Sequence, residues 1–90
     1  MKIKIIEFPV GHHVWDSDAY AMSFHAIVDG KQVKCIVSTE ALEDHFGAND
    51  SNYEAKFSEN RLTIERVARN KINQNKYQTD GTIFVSTSDF

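Results

Sequence analysis

The sequence predicts an α+β domain, in which a small and largely antiparallel sheet is packed on one face by two helices, the second of them long. Two runs of β-type residues flank the dipeptide Asp29-Gly30, which is typical of a tight hairpin turn. A stretch with helical periodicity follows the hairpin, and a short β-branched run comes after the helices. The predicted element order is therefore β-β-β-α-α-β.

The first strand is expected at residues 3–8, a short apolar run rich in β-branched side chains. Pro9 lacks a backbone N–H donor and Gly11 follows it closely, so the strand should end there. The polar segment at residues 11–18, with the sequence GHHVWDSD, is predicted to be a loop.

The central hairpin is expected to join residues 20–28 to residues 31–38 through a two-residue type I′ turn. This register places Phe24 opposite Cys35, and directly opposed residues share one face of a sheet. The face expected to carry the core holds Met22, Phe24, Ala26, Val28, Val33, Cys35 and Val37. The second face is mixed in polarity and is expected to be wetter.

The first helix is expected directly after the hairpin. Ser38 or Thr39 can provide its N-cap, and the acidic residue Glu40 near its start suits the helix dipole. Gly47 is placed to end this helix, because glycine readily adopts the left-handed conformation that closes many helices.

The second helix is expected to begin near Ser51, since Ser51 and Glu54 match a capping box, and to run to about residue 74. Its apolar stripe contains Tyr53, Phe57, Ile64, Ala68 and Ile72. Asp80-Gly81 then predicts a turn, and residues 82–87 predict the last strand.

Length and composition bound the class of protein. Ninety residues fit one domain at residues 1–90. The formal net charge of −3 makes nucleic acid an unlikely partner, because general nucleic-acid binders carry a basic excess. The N-terminal segment lacks the apolar run of a signal peptide, and no stretch approaches the roughly 20 apolar residues of a membrane span. We therefore expect a cytoplasmic protein with a reduced thiol and no membrane partner.

Short motifs follow one another in an ordered series along nearly the whole chain. They include Trp15-Asp16, Phe24, Gly30, Cys35, Ser38-Thr39-Glu40-Ala41-Leu42, Phe46-Gly47, Phe57, Asn60-Arg61, Ile64-Glu65, Ala68 and Gly81. Together they resemble the bacterial family called domain of unknown function 1488. The resemblance implies a small bacterial cytoplasmic protein of α+β type, and it implies no activity, substrate or catalytic residue.

Cys35 is the only cysteine and invites a catalytic interpretation. A reactive cysteine needs a base or a positive field nearby and access to solvent. The predicted register instead places Cys35 on the core face, while His25 points to the opposite face. We therefore expect Cys35 to be a buried, small apolar residue and we predict no catalytic residue.

Two histidine-containing motifs are candidate sites. His12-His13 with Asp16 or Asp18 could bind a metal, but the spacing matches no zinc signature, so we predict neither metal nor cofactor. Glu43-Asp44-His45 resembles acid–base machinery, but consecutive residues diverge by about 100° around a helix and cannot act together.

The second half of the long helix is basic. Its cationic residues are Arg61, Arg66, Arg69, Lys71 and Lys76. They do not form one stripe, so a solvated helix face is favoured over a nucleic-acid surface.

We predict Arg61, Trp15 and Asn60 as candidate binding residues. Arg61 lies beside the apolar stripe, where it either ties the helix to neighbouring elements, with Glu65 as a candidate acceptor, or holds an anion or a partner's carboxylate. Trp15 either packs its loop onto the sheet or anchors a partner.

The leading functional hypothesis is a non-catalytic module that acts through a protein partner or as a homodimer. One alternative is a nucleic-acid-associated protein that uses the basic half of the long helix. The other alternative is a small enzyme with a pocket of His, Asp and Arg side chains. An enzymatic activity is thus left open but is not favoured.

Overall fold

The computed structural model describes residues 4–11 and 13–90, and in this part of the chain five strands and three α-helices form an α+β fold. The strands are β1 (Ile6–Glu7), β2 (Val14–Asp16), β3 (Ala21–Val28), β4 (Lys31–Ser38) and β5 (Ile83–Val85). The helices are α1 (Thr39–Phe46), α2 (Tyr53–Glu59) and α3 (Arg61–Asn73). The predicted fold class is confirmed, although the structure has one more strand and one more helix than expected.

The sheet has the strand order β1-β3-β4-β5, with β2 also paired to β3. Three of its pairings are antiparallel, and the β4–β5 pairing is parallel, which requires a long crossover connection; the three helices supply it. β1 and β2 lie along the same edge of β3, β1 opposite Val28 and β2 opposite Met22.

The register of the central hairpin confirms the prediction. Phe24 is paired with Cys35, and Val28 is paired with Lys31. Asp29 and Gly30 have φ angles of 51° and 84°, the positive values that a type I′ turn requires at both central positions.

The predicted loop at residues 11–18 is partly wrong, because Val14–Asp16 forms the edge strand β2. The Ser23 hydroxyl donates to the Val14 carbonyl over 3.2 Å and helps to hold this strand on β3. A three-residue edge strand is too short to show alternating polarity in a sequence. β1 ends before Pro9 as expected, whereas Ile3, the predicted start of that strand, lies outside the described residues.

Helix α1 has the predicted ends. The Ser38 hydroxyl accepts a hydrogen bond from the Ala41 N–H at 3.0 Å, which is the N-cap interaction. Gly47 follows the helix with φ of 70°, the left-handed conformation expected of a C-cap glycine.

The long second helix is a wrong prediction, because the chain breaks at Asn60 into α2 and α3. Asn60 has φ of −115° and ψ of 19°, and its side-chain amide donates to the Lys56 carbonyl at 2.9 Å. This side chain competes with the regular helical hydrogen bonds, as asparagine commonly does. The predicted apolar stripe is nevertheless buried, since both helices present it to the sheet.

The predicted capping box at the start of α2 is also wrong. The N-cap is Asn52, which makes no side-chain capping bond. The Ser51 hydroxyl donates to the Asn49 side chain at 2.7 Å, and Glu54 points toward His13.

One buried cluster joins the inner face of the sheet to the helices. It contains Met22, Phe24, Cys35 and Val37 from the hairpin, Leu42, Phe57, Ile64, Ala68 and Ile72 from the helices, and Ile83 and Val85 from β5. On the second face of the sheet Gln32 and Lys34 are exposed, as expected, but Ala21 and Ser23 are buried. β5 is shorter than the predicted strand, because a 3₁₀ helix forms at Thr87–Asp89. No helix among the described residues has the length and apolar character that crossing a bilayer requires.

Candidate functional site

Three aromatic rings from three separate places in the chain meet beside β2. They are Trp15 of β2, Tyr20 of the loop before β3, and Tyr53 at the first position of α2, and we call them the aromatic patch. Trp15 stacks on Tyr53 with an interplanar angle of 5° and a centroid separation of 5.7 Å. Tyr20 stands nearly perpendicular to both rings, at 5.2 Å from Trp15 and 6.3 Å from Tyr53.

The patch is unusually open for such large side chains. Tyr53 is 8% exposed and anchors the patch to the core, whereas Trp15 is 41% exposed and Tyr20 is 57% exposed. Aromatic rings contribute most to stability when they are buried. The two outer rings therefore leave much of their apolar area in contact with water.

The loop that carries Tyr20 is fixed by Asp16. One carboxylate oxygen of Asp16 accepts hydrogen bonds from the backbone N–H groups of Asp18 and Ala19, both at 3.1 Å. The other oxygen pairs with Lys34 at 2.8 Å. The hydrogen bond from Lys34, followed by the one from Ala19, lowers the pKa of Asp16 below its usual range. The carboxylate is thus stabilised in the charged form that holds the loop.

Tyr20 has a backbone conformation that is unfavourable for its residue type. Its φ angle is 49°, in the left-handed region where glycine and asparagine are common and bulky residues are not. Such a conformation costs roughly 1–2 kcal/mol for an ordinary L-residue. More than half of Tyr20 is exposed, so only part of its ring gains from burial. Backbone strain of this kind is typical of functional sites.

Three carboxylates, which we call the acidic rim, lie beside the patch: Glu43, Asp50 and Glu54. The Tyr53 hydroxyl donates a short hydrogen bond to Glu43 and lies 3.2 Å from an oxygen of Asp50. A phenol has one proton, so it can serve only one of these carboxylates at a time. The hydrogen bond to Glu43, together with burial, raises the pKa of Tyr53, so its ring stays neutral.

The patch and the rim line two neighbouring surface depressions. The first has a volume of about 380 Å³, and its walls include the three aromatic rings, Asp50 and Glu54. The second has a volume of about 440 Å³, and its walls include Glu43 and Asp50. Asp50 belongs to both, so the two depressions form one continuous acidic and aromatic surface.

Arg61, the first predicted binding residue, lies in a different and closed cluster. Its Nε donates to Glu65 at 2.6 Å, one Nη donates to the Pro9 carbonyl at 2.7 Å, and the other Nη donates to His13 Nδ1 at 3.2 Å. The guanidinium also lies 5.7 Å from the centre of the Phe57 ring. Arg61 therefore ties α3 to the segment between β1 and β2, and we call these four hydrogen-bonded residues the arginine cluster.

The other two predicted binding residues are also separated. Asn60 forms the break between α2 and α3 and is half-buried, and Trp15 belongs to the aromatic patch. The structure thus does not bring Arg61, Trp15 and Asn60 into one site, and a binding role for each stays a prediction. Sequence reasoning missed Tyr20, for which the only signal was an aromatic residue directly after the polar segment Asp16–Ala19.

Cys35 is buried, as predicted. Its exposed fraction is 0%, and burial raises the pKa of its thiol to about 12. A thiol that remains protonated at neutral pH is a poor nucleophile, so Cys35 behaves as a small core residue.

A third depression, of about 480 Å³, tests the enzymatic alternative. His13, His25, Lys34 and Ser23 contribute to its walls. Lys34 pairs with Asp16, and His13 lies between Arg61 and Glu54. The Ser23 hydroxyl donates to the Val14 carbonyl, so its proton is not directed to a histidine. In the part of the chain that the structure describes, Ser23 is therefore held as a structural donor and not as a nucleophile.

The two histidine-containing motifs, which the sequence does not favour as sites, do not form one in the described residues. No group of three or more His, Cys, Asp and Glu side chains that could hold a metal ion occurs in residues 4–11 and 13–90. His12 lies outside the described residues. Glu43, Asp44 and His45 point to different partners: Glu43 to Tyr53, Asp44 to the Thr87 hydroxyl, and His45 to the Thr87 carbonyl. The absence of a metal or cofactor stays a prediction.

The basic residues of α3 are dispersed rather than gathered into one surface. Lys71 pairs with Asp89 at 2.8 Å and donates to the Phe84 carbonyl. The Arg69 guanidinium lies 5.3 Å from the centre of the Phe8 ring, and Arg66 is exposed. Lys71 and Arg69 thus interact with other groups of the same chain.

Fold and surface first define the class: this is a small α+β domain whose most distinctive surface feature is an aromatic patch beside an acidic rim. Comparison with known families then gives the family. A model of the family described as "Protein of unknown function (DUF1488)" matches residues 6–85. The chain belongs to this family, which confirms the resemblance inferred from its motifs.

Individual relatives agree with this assignment. The Uncharacterized protein YrdB of Escherichia coli (strain K12) is 30% identical over 81 residues, which are 89% of this chain and 94% of YrdB. YrdB of Shigella flexneri is similar to the same extent. The crystal structure of a protein of unknown function from the DUF1488 family of Shewanella loihica PV-4 matches with a TM-score of 0.80 and 28% identity, over 89% of this chain and 90% of that one.

Proposed function

We propose that this protein is a non-catalytic, cytoplasmic interaction module that binds a protein partner through the aromatic patch. The observation that carries the proposal is the exposure of Trp15 and Tyr20, 41% and 57%, on a loop that Asp16 holds in place. Tryptophan and tyrosine are prominent among the residues that dominate protein–protein binding energy. A patch that is already ordered also loses little conformational entropy on binding.

The strained backbone of Tyr20 supports the same function. A glycine or an asparagine would fit its φ angle at lower cost, yet the position holds a large ring that stays mostly in solvent. A contact with a partner would bury that ring and would explain why it stands there.

The test combines capture with direct binding. The tagged chain is used to isolate partners from a lysate of the cells that produce it, and the captured protein is then purified and titrated against the Trp15→Ala and Tyr20→Ala variants. We expect each variant to weaken binding by about tenfold or more, the usual effect of an interface hot spot. Leu62→Ala is the matched control, because Leu62 is 79% exposed and belongs to α3 rather than to the patch.

Folded patch variants that bind the purified protein as tightly as Leu62→Ala does would contradict the proposal. Sedimentation of the chain alone distinguishes a homodimer. Self-association that Trp15→Ala abolishes would show that the partner is a second copy, and it would replace the heterologous partner proposed here.

A further inference from the structure

We infer that the partner presents an arginine side chain to this surface, with its guanidinium against the exposed part of the Trp15 indole and its N–H groups directed to Asp50 and Glu54. This inference rests on the proposed function and adds the chemistry that the aromatic patch recognises. Three observations carry it: the charge of the rim, the arrangement of the rings, and the engagement of the nearby cations elsewhere.

The acidic rim has more negative charge than its own surroundings neutralise. Glu43 and Asp50 share the single proton of the Tyr53 hydroxyl. Within residues 4–11 and 13–90, neither of them forms an ion pair with a lysine or an arginine. Glu54 has a side chain that is 77% exposed, and among the described residues it lies 3.4 Å from the His13 imidazole rather than beside a lysine or an arginine. A cation from outside is the complement that this surface lacks.

The rings leave a platform for that cation. The three centroid separations, 5.2, 5.7 and 6.3 Å, form a nearly equilateral triangle, so Tyr20 lies beside the stacked pair and not over the far face of Trp15. Tyr53 covers one face of the indole, and no other described ring stacks on the second face. A cation over the face of an indole gains the strongest of the cation–π attractions.

Cations of the neighbouring elements are engaged elsewhere, including Lys56 of α2, which pairs with Glu59 at 3.4 Å. Lys34 pairs with Asp16, and Arg61 pairs with Glu65 while its remaining donors reach Pro9 and His13. Neither can turn to the acidic rim without breaking the contacts that hold its own region together. The site is therefore open to a cation supplied by another molecule.

Arginine suits this arrangement better than lysine. Its guanidinium is planar, stacks on an aromatic face and donates two parallel hydrogen bonds to a carboxylate, whereas the lysine ammonium is a compact and strongly hydrated charge. The same acidic rim repels phosphate groups, which excludes nucleic acid from this surface.

Trp15 is the only tryptophan, so its indole reports on the site directly. The probes are three short synthetic peptides of the form acetyl-Gly-Ser-X-Ser-Gly-amide, in which X is arginine, lysine or citrulline, the neutral analogue of arginine with the same planar shape. Binding is followed by the NMR shift of the Trp15 indole N–H. We expect the arginine peptide to bind most tightly, and the citrulline peptide to bind at least about fivefold more weakly, because it lacks the charge.

Variants of the protein test the rim. Asp50→Asn combined with Glu54→Gln should weaken binding of the arginine peptide by about threefold or more, as expected for the loss of exposed ion pairs. Glu7→Gln, which removes an exposed carboxylate of β1, should leave binding unchanged. Equal binding of the arginine and citrulline peptides, or no shift of the indole with the arginine peptide, would overturn the inference.

The captured partner separates this inference from the proposed function. In one outcome, Trp15→Ala no longer binds the partner, but the Asp50→Asn, Glu54→Gln double variant binds it normally. This result would support the proposed function and would overturn the inference that the partner presents an arginine. A partner bound normally by Trp15→Ala would overturn both. A partner that is lost with both variants, and that binds again only when its own arginine is intact, would support both.

Discussion

The two ends of helix α2 carry two clusters of opposite character. At its first residue, Tyr53 belongs to the aromatic patch, whose outer rings are exposed. Beside this patch, two carboxylates face a single donor, the Tyr53 hydroxyl. Just beyond its last residue, Arg61 belongs to the arginine cluster, in which each guanidinium nitrogen has an acceptor. A cluster whose polar groups all have hydrogen-bond partners stabilises the fold. An ordered cluster with exposed rings and incompletely paired carboxylates is available to bind another molecule.

His13 and Glu54 connect the two clusters. His13 accepts from Arg61 at Nδ1, so its Nε2 carries the proton and points to Glu54 at 3.4 Å. His13 also packs against Phe57, with ring centroids 5.1 Å apart. Through His13, the arginine cluster therefore contacts Glu54, a residue of the acidic rim. Substitutions in each cluster test whether the two clusters differ as described.

The largest effect is expected from Arg61→Met, which keeps much of the stem and removes the charge. Glu65 is 8% exposed and would lose its partner, as would the Pro9 carbonyl. We expect the free energy of unfolding to fall by about 2–3 kcal/mol, the usual cost of breaking a partly buried, charged hydrogen-bond network. Urea unfolding measures this change.

Arg66→Met is the matched control, because Arg66 is an exposed arginine on the same helix. It should change the free energy of unfolding by less than about 0.5 kcal/mol, as surface substitutions usually do. Arg61→Lys should fall between them, since it retains the charge but not the planar fork. If Arg61→Met is as stable as Arg66→Met but no longer binds the captured partner, Arg61 is a binding residue and not a structural one.

The next effect concerns Cys35, which lies in the core shared by both regions. Cys35→Ala should lower the free energy of unfolding by about 1 kcal/mol, because it removes one buried sulfur. The native thiol should react slowly with a thiol reagent near neutral pH, since burial raises its pKa to about 12, and it should react quickly in denaturant. Rapid labelling of the native protein would show that the core opens more readily than the packing implies.

The hairpin and the break at Asn60 show how far the sequence determines this fold. Asp29-Gly30 has a strong local preference for one turn type, so the register of two strands follows from two residues. Asparagine in the middle of an apolar periodic segment carries only a weak signal, since its helix propensity is modestly low and neither glycine nor proline marks the break. The sequence therefore predicts one continuous helix, whereas the structure has two, α2 and α3.

The aromatic patch could not be predicted as a unit for a different reason. Trp15 and Tyr53 are far apart in the chain, and their stacking depends on the pairing of β2 with β3 and on the position where α2 begins. Sequence periodicity predicts Tyr53 as a core residue, and the position of Trp15 in a polar segment makes it a possible anchor. Neither signal contains information on their separation in space or on the positive φ of Tyr20.

A smaller effect on stability, and a large one on binding, is expected from Tyr20→Gly. Glycine accepts the φ angle of 49° without steric cost, while the ring contacts with Trp15 and Tyr53 are lost. These changes oppose each other, so the free energy of unfolding should change by no more than about 1 kcal/mol. Partner affinity should still fall by about tenfold, as for a hot-spot residue.

Tyr20→Gly sharpens the comparison because it separates stability from binding within one residue. Ala19→Gly, at the preceding loop position, is the control for added backbone freedom. A fall of several kcal/mol with Tyr20→Gly would show that the ring is a structural element, and the contrast between the two clusters would then disappear.

The smallest effect is the dependence of stability on pH through Asp16. The hydrogen bonds from Lys34 and from the backbone N–H groups lower its pKa in the folded protein. Its contribution is therefore present above the ordinary aspartate pKa of about 3.9, and it is lost as the pH falls through the lower, folded value.

Asp16→Asn removes this contribution, so the variant should lose less stability than the wild type between about pH 5 and pH 3. Urea unfolding at several pH values measures the difference, and Asp18→Asn is the control, since Asp18 is exposed and lies two residues after Asp16. Because Asp16 holds the loop of Tyr20, its protonation should also weaken partner binding, while the arginine cluster should remain intact. Equal pH dependence of the Asp16→Asn variant and the wild type would show that the loop is held by its other contacts.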